Sequence, residues 1–147
     1  MSHVGRSIYQ TPDVIDAPLY VITAISNPIR FKTRWKHYQR FAAHVKDSGG
    51  ILYTVEAAFG ERRSALIDRA PEDADSTWKT ASATQEPHKY LQVRMDSELW
   101  VKENLMNLGV QALPDSWKYV AFIDADIQFA RPNWVGETIH QLQHYSV

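Results

Sequence analysis

The tripeptide Asp124-Ala125-Asp126 holds the residues of this sequence best placed to do chemistry. In an extended chain, side chains two apart project to the same side, so both carboxylates would share one face with only the small Ala125 between them. Two such charges repel unless a cation neutralises them. Their hard oxygen donors suit Mg²⁺ or Mn²⁺, ions that complete their shell with water and phosphate oxygens. The chemistry outlined is a metal-diphosphate site. The competing reading is a pair of edge carboxylates accepting from nearby backbone N–H groups.

The chain contains its own control. Asp73-Ala74-Asp75 repeats the three residues inside Pro71-Glu72-Asp73-Ala74-Asp75-Ser76. No apolar strand precedes that copy, and it reads as a solvated loop. Asp124, in contrast, directly follows Tyr119-Val120-Ala121-Phe122-Ile123, the most hydrophobic strand candidate in the chain. The carboxyl edge of a parallel sheet is where open α/β folds bind ligands.

Such a strand needs partners. Leu19 to Ile25 is almost unbroken apolar, as in a strand covered on both faces. Ser26-Asn27-Pro28 ends it, and Phe31, Trp35, Tyr38, Phe41, Ala42 and Val45 then recur at helical spacing. Their continuity reads as core packing more readily than as a base-stacking platform. Gly49-Gly50 stops the helix, and Ile51-Leu52-Tyr53-Thr54-Val55 forms a second strand closing on Glu56. Strand, helix and strand with a short return make a βαβ unit. Residues 60–87 are polar and aperiodic, a long loop with a short hairpin near Ser64 to Ile67 and with Trp78 available for a ligand. Beyond it lie an alternating segment from Tyr90 to Arg94, a helix capped by Asp96 or Ser97 with Leu99 facing the core and Gly109 ending it, and a last helix from near Pro132 carrying Val135, Ile139 and Leu142.

Composition narrows the function classes. A chain of 147 residues is one domain's worth, here a lead over residues 1–18 and an α/β domain over 19–147. Sixteen Lys and Arg against 17 Asp and Glu leave a net charge of -1, so no global field draws in nucleic acid or anionic membrane. The absence of cysteine excludes a disulfide framework and thiolate zinc sites. No apolar run approaches the roughly 18 residues of a membrane span, and the start lacks the apolar core of a signal peptide, so a cytoplasmic location is expected.

The segment from Trp117 through Asp124-Ala125-Asp126 to Phe129 resembles the DxD region of GT-A fold glycosyltransferases, especially family 2-like enzymes that use nucleotide-diphosphate sugars. It is also similar to glycosyltransferase-like proteins of bacteria and phages, which would place it in a bacterial or phage-infected cytoplasm. The order of the other elements, from Leu19 to Tyr145, agrees. The resemblance implies a Rossmann-like three-layer α/β sandwich with a mostly parallel sheet, cut off after the DxD strand and one helix. It further implies that Thr23, Ala24, Ile25 and Ser26 lie against the nucleoside and that Glu56 accepts from the base. Asp126 would ligate Mn²⁺ or Mg²⁺ directly, Asp124 would share the metal or reach the ribose, and Arg94 and Lys102 would meet the phosphates. Lys102-Glu103-Asn104 departs from the family's Arg-Asn there. The donor expected is a UDP-sugar, with the acceptor and any homo-oligomer left open. No general base is evident in the 21 residues that follow Asp126, so the acceptor half would lie outside this chain.

Other readings stand beside these. Glu56 could be a solvated strand end, and Arg94 and Lys102 surface charges. His37 and His44, seven apart, share a helical face. His140 and His144 are spaced to bind a metal but read as a polar helix face without a third ligand. An apolar strand before Asp-x-Asp is also the nucleophile motif of haloacid-dehalogenase-type phosphohydrolases, although Ile127-Gln128 departs from the usual continuation. A non-catalytic nucleotide-binding or structural domain is the third class.

Overall fold

The computed structural model describes residues 14–29, 31–61 and 87–145. The hairpin near Ser64 to Ile67, most of the polar loop, Asp73-Ala74-Asp75 and Trp78 lie outside them.

The chain runs β1 (Leu19–Ile25), α1 (Lys32–Asp47), β2 (Ile51–Phe59), β3 (Lys89–Met95), α2 (Lys102–Gln111), β4 (Tyr119–Phe122) and α3 (Trp134–His144). The four strands form one all-parallel sheet in the order β3-β2-β1-β4, with the three helices on its faces, a Rossmann-like layout. Alternation along the strands assigns the two faces. Leu19, Val21 and Leu52 bury against Phe41 and Val45 of α1 and against Trp134, Val135 and Ile139 of α3. Tyr20, Ile22 and Tyr53 pack on the other face beside Met106 and Val110 of α2, and Val55 and Ala57 join Leu105. Side chains such as Phe41, Leu19 and Ile22 are fully buried, each worth about 1.5–3 kcal/mol of transfer free energy.

Several expectations need correction. β2 does not close on Glu56 but runs on through Ala57-Ala58 to Phe59, because as an inner strand it pairs with both β1 and β3. Neither Asp96 nor Ser97 caps α2. Ser97 Oγ accepts from the Leu99 N–H at 3.3 Å within an extended approach, Leu99 is 69% exposed, and the helix begins only at Lys102. Gly109 does not end α2, which continues to Gln111. A Cβ at Gly109 would lie 2.6 Å from Ile22 Cγ2 and 3.2 Å from Val55 Cγ2, so the missing side chain is what lets the helix rest on β1 and β2.

At the amino edge of the sheet, Asp16 joins three elements. Lys118 pairs with its carboxylate, the Tyr119 hydroxyl donates to it at 2.9 Å, and Gln143 Nε2 of α3 donates at 3.2 Å. The Lys118 contact first, and then Tyr119, hold the Asp16 carboxyl down to about 2 from an ordinary 3.8.

Two outcomes are expected. Gly109→Ala should lower unfolding stability by about 1–3 kcal/mol through overpacking, despite a helix-propensity gain near 1 kcal/mol, as read from urea midpoints. Asp16 binds its proton more weakly folded than unfolded, so the stability it contributes is complete above pH about 4 and is lost as the pH falls through about 2. Asp16→Asn should therefore be less stable than the parent at neutral pH, with the difference closing towards pH 2 in a pH series of denaturant melts.

Candidate functional site

Strand order reverses between β1 and β4, and a crevice at such a point is the usual ligand site of open parallel sheets. Here β4 is also short. Phe122 pairs with Ile22, whereas β1 continues to Ile25 and β2 to Phe59. The notch so formed opens into a cleft of about 830 Å³ over the carboxyl ends of β1, β2 and β4.

Opposite faces of the sheet build its two walls. One wall is the β1–α1 connection with the first turns of α1, including Phe31, Arg34, Trp35, His37 and Tyr38. Asn27 folds that connection by bonding Phe31 in both directions, its Nδ2 donating to the Phe31 carbonyl and its Oδ1 accepting the Phe31 N–H, each at 3.0 Å. Arg34 Nη1 donates to the Ser26 carbonyl at 2.6 Å, which holds the guanidinium at the cleft. The other wall is the approach to α2, with Glu98, Trp100 and Lys102. Phe31 and Trp100, 53% and 47% exposed, present ring surface from the two walls.

The two aspartates reach the cleft by a different route from strand alternation. β4 ends at Phe122, Ile123 N–H still bonds the Ile22 carbonyl, and Asp124-Ala125-Asp126-Ile127 is a turn closed by Ile127 N–H on the Asp124 carbonyl at 3.3 Å. Asp124 and Asp126 both line the cleft. Lys102 Nζ is paired with Asp124 Oδ1, while Asp126 has no bonded partner among the described residues. Beyond the turn, the chain is pinned to α1. Phe129 N–H donates to His44 Nε2 at 2.9 Å, and the His44, Phe129 and Trp134 rings stack, Phe129 on Trp134 at 4.3 Å.

The floor is polar. Glu56, only 2% exposed, lies at the bottom of the cleft, far more deeply buried than a strand end would be. On the same face of the sheet the Tyr38 hydroxyl bonds Thr54 Oγ1 at 2.8 Å, and burial, with the Glu56 carboxyl adding to it, pushes the phenol up to about 12. Tyr38 therefore stays protonated at any working pH. Thr23, paired with Thr54 across the strands, is fully buried and its Oγ1 has no partner among the described residues.

Of the residues expected at a nucleotide, Ala24, Ile25, Ser26, Glu56, Lys102, Asp124 and Asp126 come together in the cleft. Thr23 lies beneath it. Arg94 does not line it; its Nη1 donates to the Gly60 carbonyl at 3.0 Å, tying the end of β3 to that of β2. The expected core stripe of α1 divides: Phe41 and Val45 are core, whereas Phe31, Trp35 and Tyr38 face the cleft. His37 lines the cleft too, so the pair it makes with His44 separates into a cleft residue and a loop anchor. Arg34, Glu98 and Trp100 carried no signal in the sequence, because surface helices and loops are full of such side chains. His140 and His144 lie side by side on α3, their rings 4.5 Å apart and tilted by 41°.

Among the described residues no three or more His, Cys, Asp or Glu side chains group as a metal cage. Two carboxylates on one turn suit an ion such as Mg²⁺, which takes one or two protein carboxylates and completes its shell with water and phosphate. The lining has four carboxyl side chains, Glu56, Glu98, Asp124 and Asp126, against Arg34 and Lys102. An anion entering alone meets more acid than base. The same anion with a divalent cation does not.

Comparisons of the chain with protein-family models, with curated proteins and with solved structures find no match. No helix among the described residues is long and apolar enough to cross a membrane.

The orphaned hydroxyl under the cleft yields a test. Thr23→Val removes a buried donor that has no partner among the described residues while keeping the shape, and is expected to leave stability unchanged or raise it by about 1 kcal/mol in denaturant melts. A loss of 2 kcal/mol or more would mean that a bound water satisfies Thr23.

Proposed function

We propose that the protein binds a nucleotide-diphosphate sugar together with Mg²⁺ or Mn²⁺ and transfers the sugar to an acceptor hydroxyl, as the likeness of its DxD segment to GT-A glycosyltransferases implies. The observation that carries the reading is the turn bearing Asp124 and Asp126, opening into a cleft at the reversal of strand order beside β1. A binding site of that place and donor set is what a nucleotide diphosphate requires.

The residues divide the work. Asp126, exposed and without a bonded partner among the described residues, is the direct metal ligand, and Asp124 shares the ion or reaches the ribose. The ion, when bound, supplies neutralisation of the charge that develops on the departing diphosphate. Glu56 on the floor accepts from a donor edge of the base, with Ala24, Ile25 and Ser26 shaping the nucleoside's seat. Phe31 and Trp100 give planar surface for the base or a sugar ring. An acceptor hydroxyl must lose its proton, and His37 and Glu98, on opposite walls of the cleft, have that chemistry and no part assigned in holding the nucleotide or metal.

The test is calorimetric. UDP should bind the parent protein only in the presence of Mn²⁺ or Mg²⁺, and Asp126→Ala should weaken that binding by about tenfold or more, at least the loss that outer-shell partners cause. Equal binding by Asp126→Ala would falsify the metal assignment.

A further inference from the structure

We propose that Lys102 is an internal counter-ion that a divalent metal displaces from Asp124, and that its released ammonium then holds the diphosphate. The inference rests on the nucleotide-diphosphate reading above. It starts from the asymmetry of the two aspartates. Asp124 is neutralised by the Lys102 ammonium, whereas Asp126 is without a bonded partner among the described residues. A cation approaching the turn therefore finds one carboxylate open and the other held by the protein's own positive charge.

The hold is exchangeable. The Lys102 and Asp124 side chains are 33% and 54% exposed, and water-screened ion pairs of this kind are weak. An ammonium and a divalent ion on one carboxylate repel each other at short range, so the site retains one or the other. Lys102 moves on a flexible four-carbon stem with donors that turn freely, unlike an arginine fork.

Its new position follows from the fold. Lys102 is the first residue of α2, a helix of ten residues. The unbonded N–H groups and positive dipole end of that helix lie beside the same cleft, where negative charge is favoured. The diphosphate that accompanies the metal thus meets the released ammonium at a helix start. Metal and nucleotide then help each other: the metal frees Lys102 for the phosphates, and the phosphates stabilise Lys102 away from Asp124. By linkage the effect is reciprocal. In the metal-free protein the pair keeps Lys102 off the phosphates and leaves the acid-rich lining to repel them.

Two titrations of the intact chain test the exchange: Mn²⁺ without nucleotide, followed by the paramagnetic resonance of free Mn²⁺, and UDP at saturating Mn²⁺, followed by calorimetry. Lys102→Met should bind Mn²⁺ about two- to fivefold more tightly than the parent. At saturating Mn²⁺ it should bind UDP roughly tenfold or more weakly. Arg34→Gln controls for charge, since it removes one positive charge from the same cleft without touching Asp124; its Mn²⁺ affinity should change less than that of Lys102→Met. Lys102→Gln reports the same contrast should the Met variant not fold. Mn²⁺ binding by Lys102→Met no tighter than the parent's, equal tightening in Arg34→Gln, or parental UDP affinity in Lys102→Met overturns the exchange alone. Failure of the parent to take up Mn²⁺ with or without UDP overturns the nucleotide-diphosphate reading and the exchange with it.

Discussion

Parallel pairing of β4 against β1 is the constraint from which the rest of the architecture follows. A parallel strand cannot return through a tight turn, so the connections that carry α1 and α2 each cross a face of the sheet. The first unit sends α1 over one face and places β2 beside β1; α2 later crosses the opposite face and delivers β4 to the other side of β1. With neighbours leaving from it in both directions, β1 becomes the floor of a crevice whose walls belong to opposite faces. The early end of β4, level with Ile22, deepens that crevice and puts the aspartate turn at its lip.

Two sets of ties keep β4 in place, one at each end. Below, Asp16 gathers Lys118, Tyr119 and Gln143, so that the lead into β1, the start of β4 and α3 cannot separate independently. Above, the stack of His44, Phe129 and Trp134 secures the chain after the turn to α1. The hydrogen bond into His44 Nε2 requires a neutral imidazole, because a protonated ring has no acceptor. Between these anchors the turn carrying Asp124 and Asp126 has its position fixed from both sides.

Much of this was legible in the residues because it depends on local signals. β1 runs from Leu19 to Ile25 and α1 ends before Gly49, where the apolar runs and the glycine stop place them. The Asp124-Ala125-Asp126 segment stands out through its preceding strand. What the sequence concealed depends on partners distant in the chain. Glu56 resembles a strand end because an acid usually stops a buried run; only pairing on both sides draws β2 past it. Gly109 resembles a helix stop until Ile22 is seen beneath it. The helical spacing of Phe31, Trp35, Tyr38 and Phe41 correctly marks one face of α1, yet the sheet ends beneath that face halfway along, leaving the first turns over a cleft and the last over the core.

The floor of the cleft departs from the apolar rule of a covered sheet face. Strand positions facing a covering helix are ordinarily apolar, and on this face Leu19, Val21 and Leu52 obey that rule. Further along the same strands stand Thr23 and Thr54, then Glu56, all but fully buried, with Tyr38 of α1 bonded to Thr54. Burying such groups costs folding free energy unless each is satisfied, and the Thr23 hydroxyl has no partner among the described residues. Valine at Thr23 would serve stability better, whereas the Thr54 hydroxyl is satisfied by Tyr38. The change from apolar to polar falls where the strands leave the core, with Glu56 and Tyr38 lining the cleft and Thr23 and Thr54 buried beneath it.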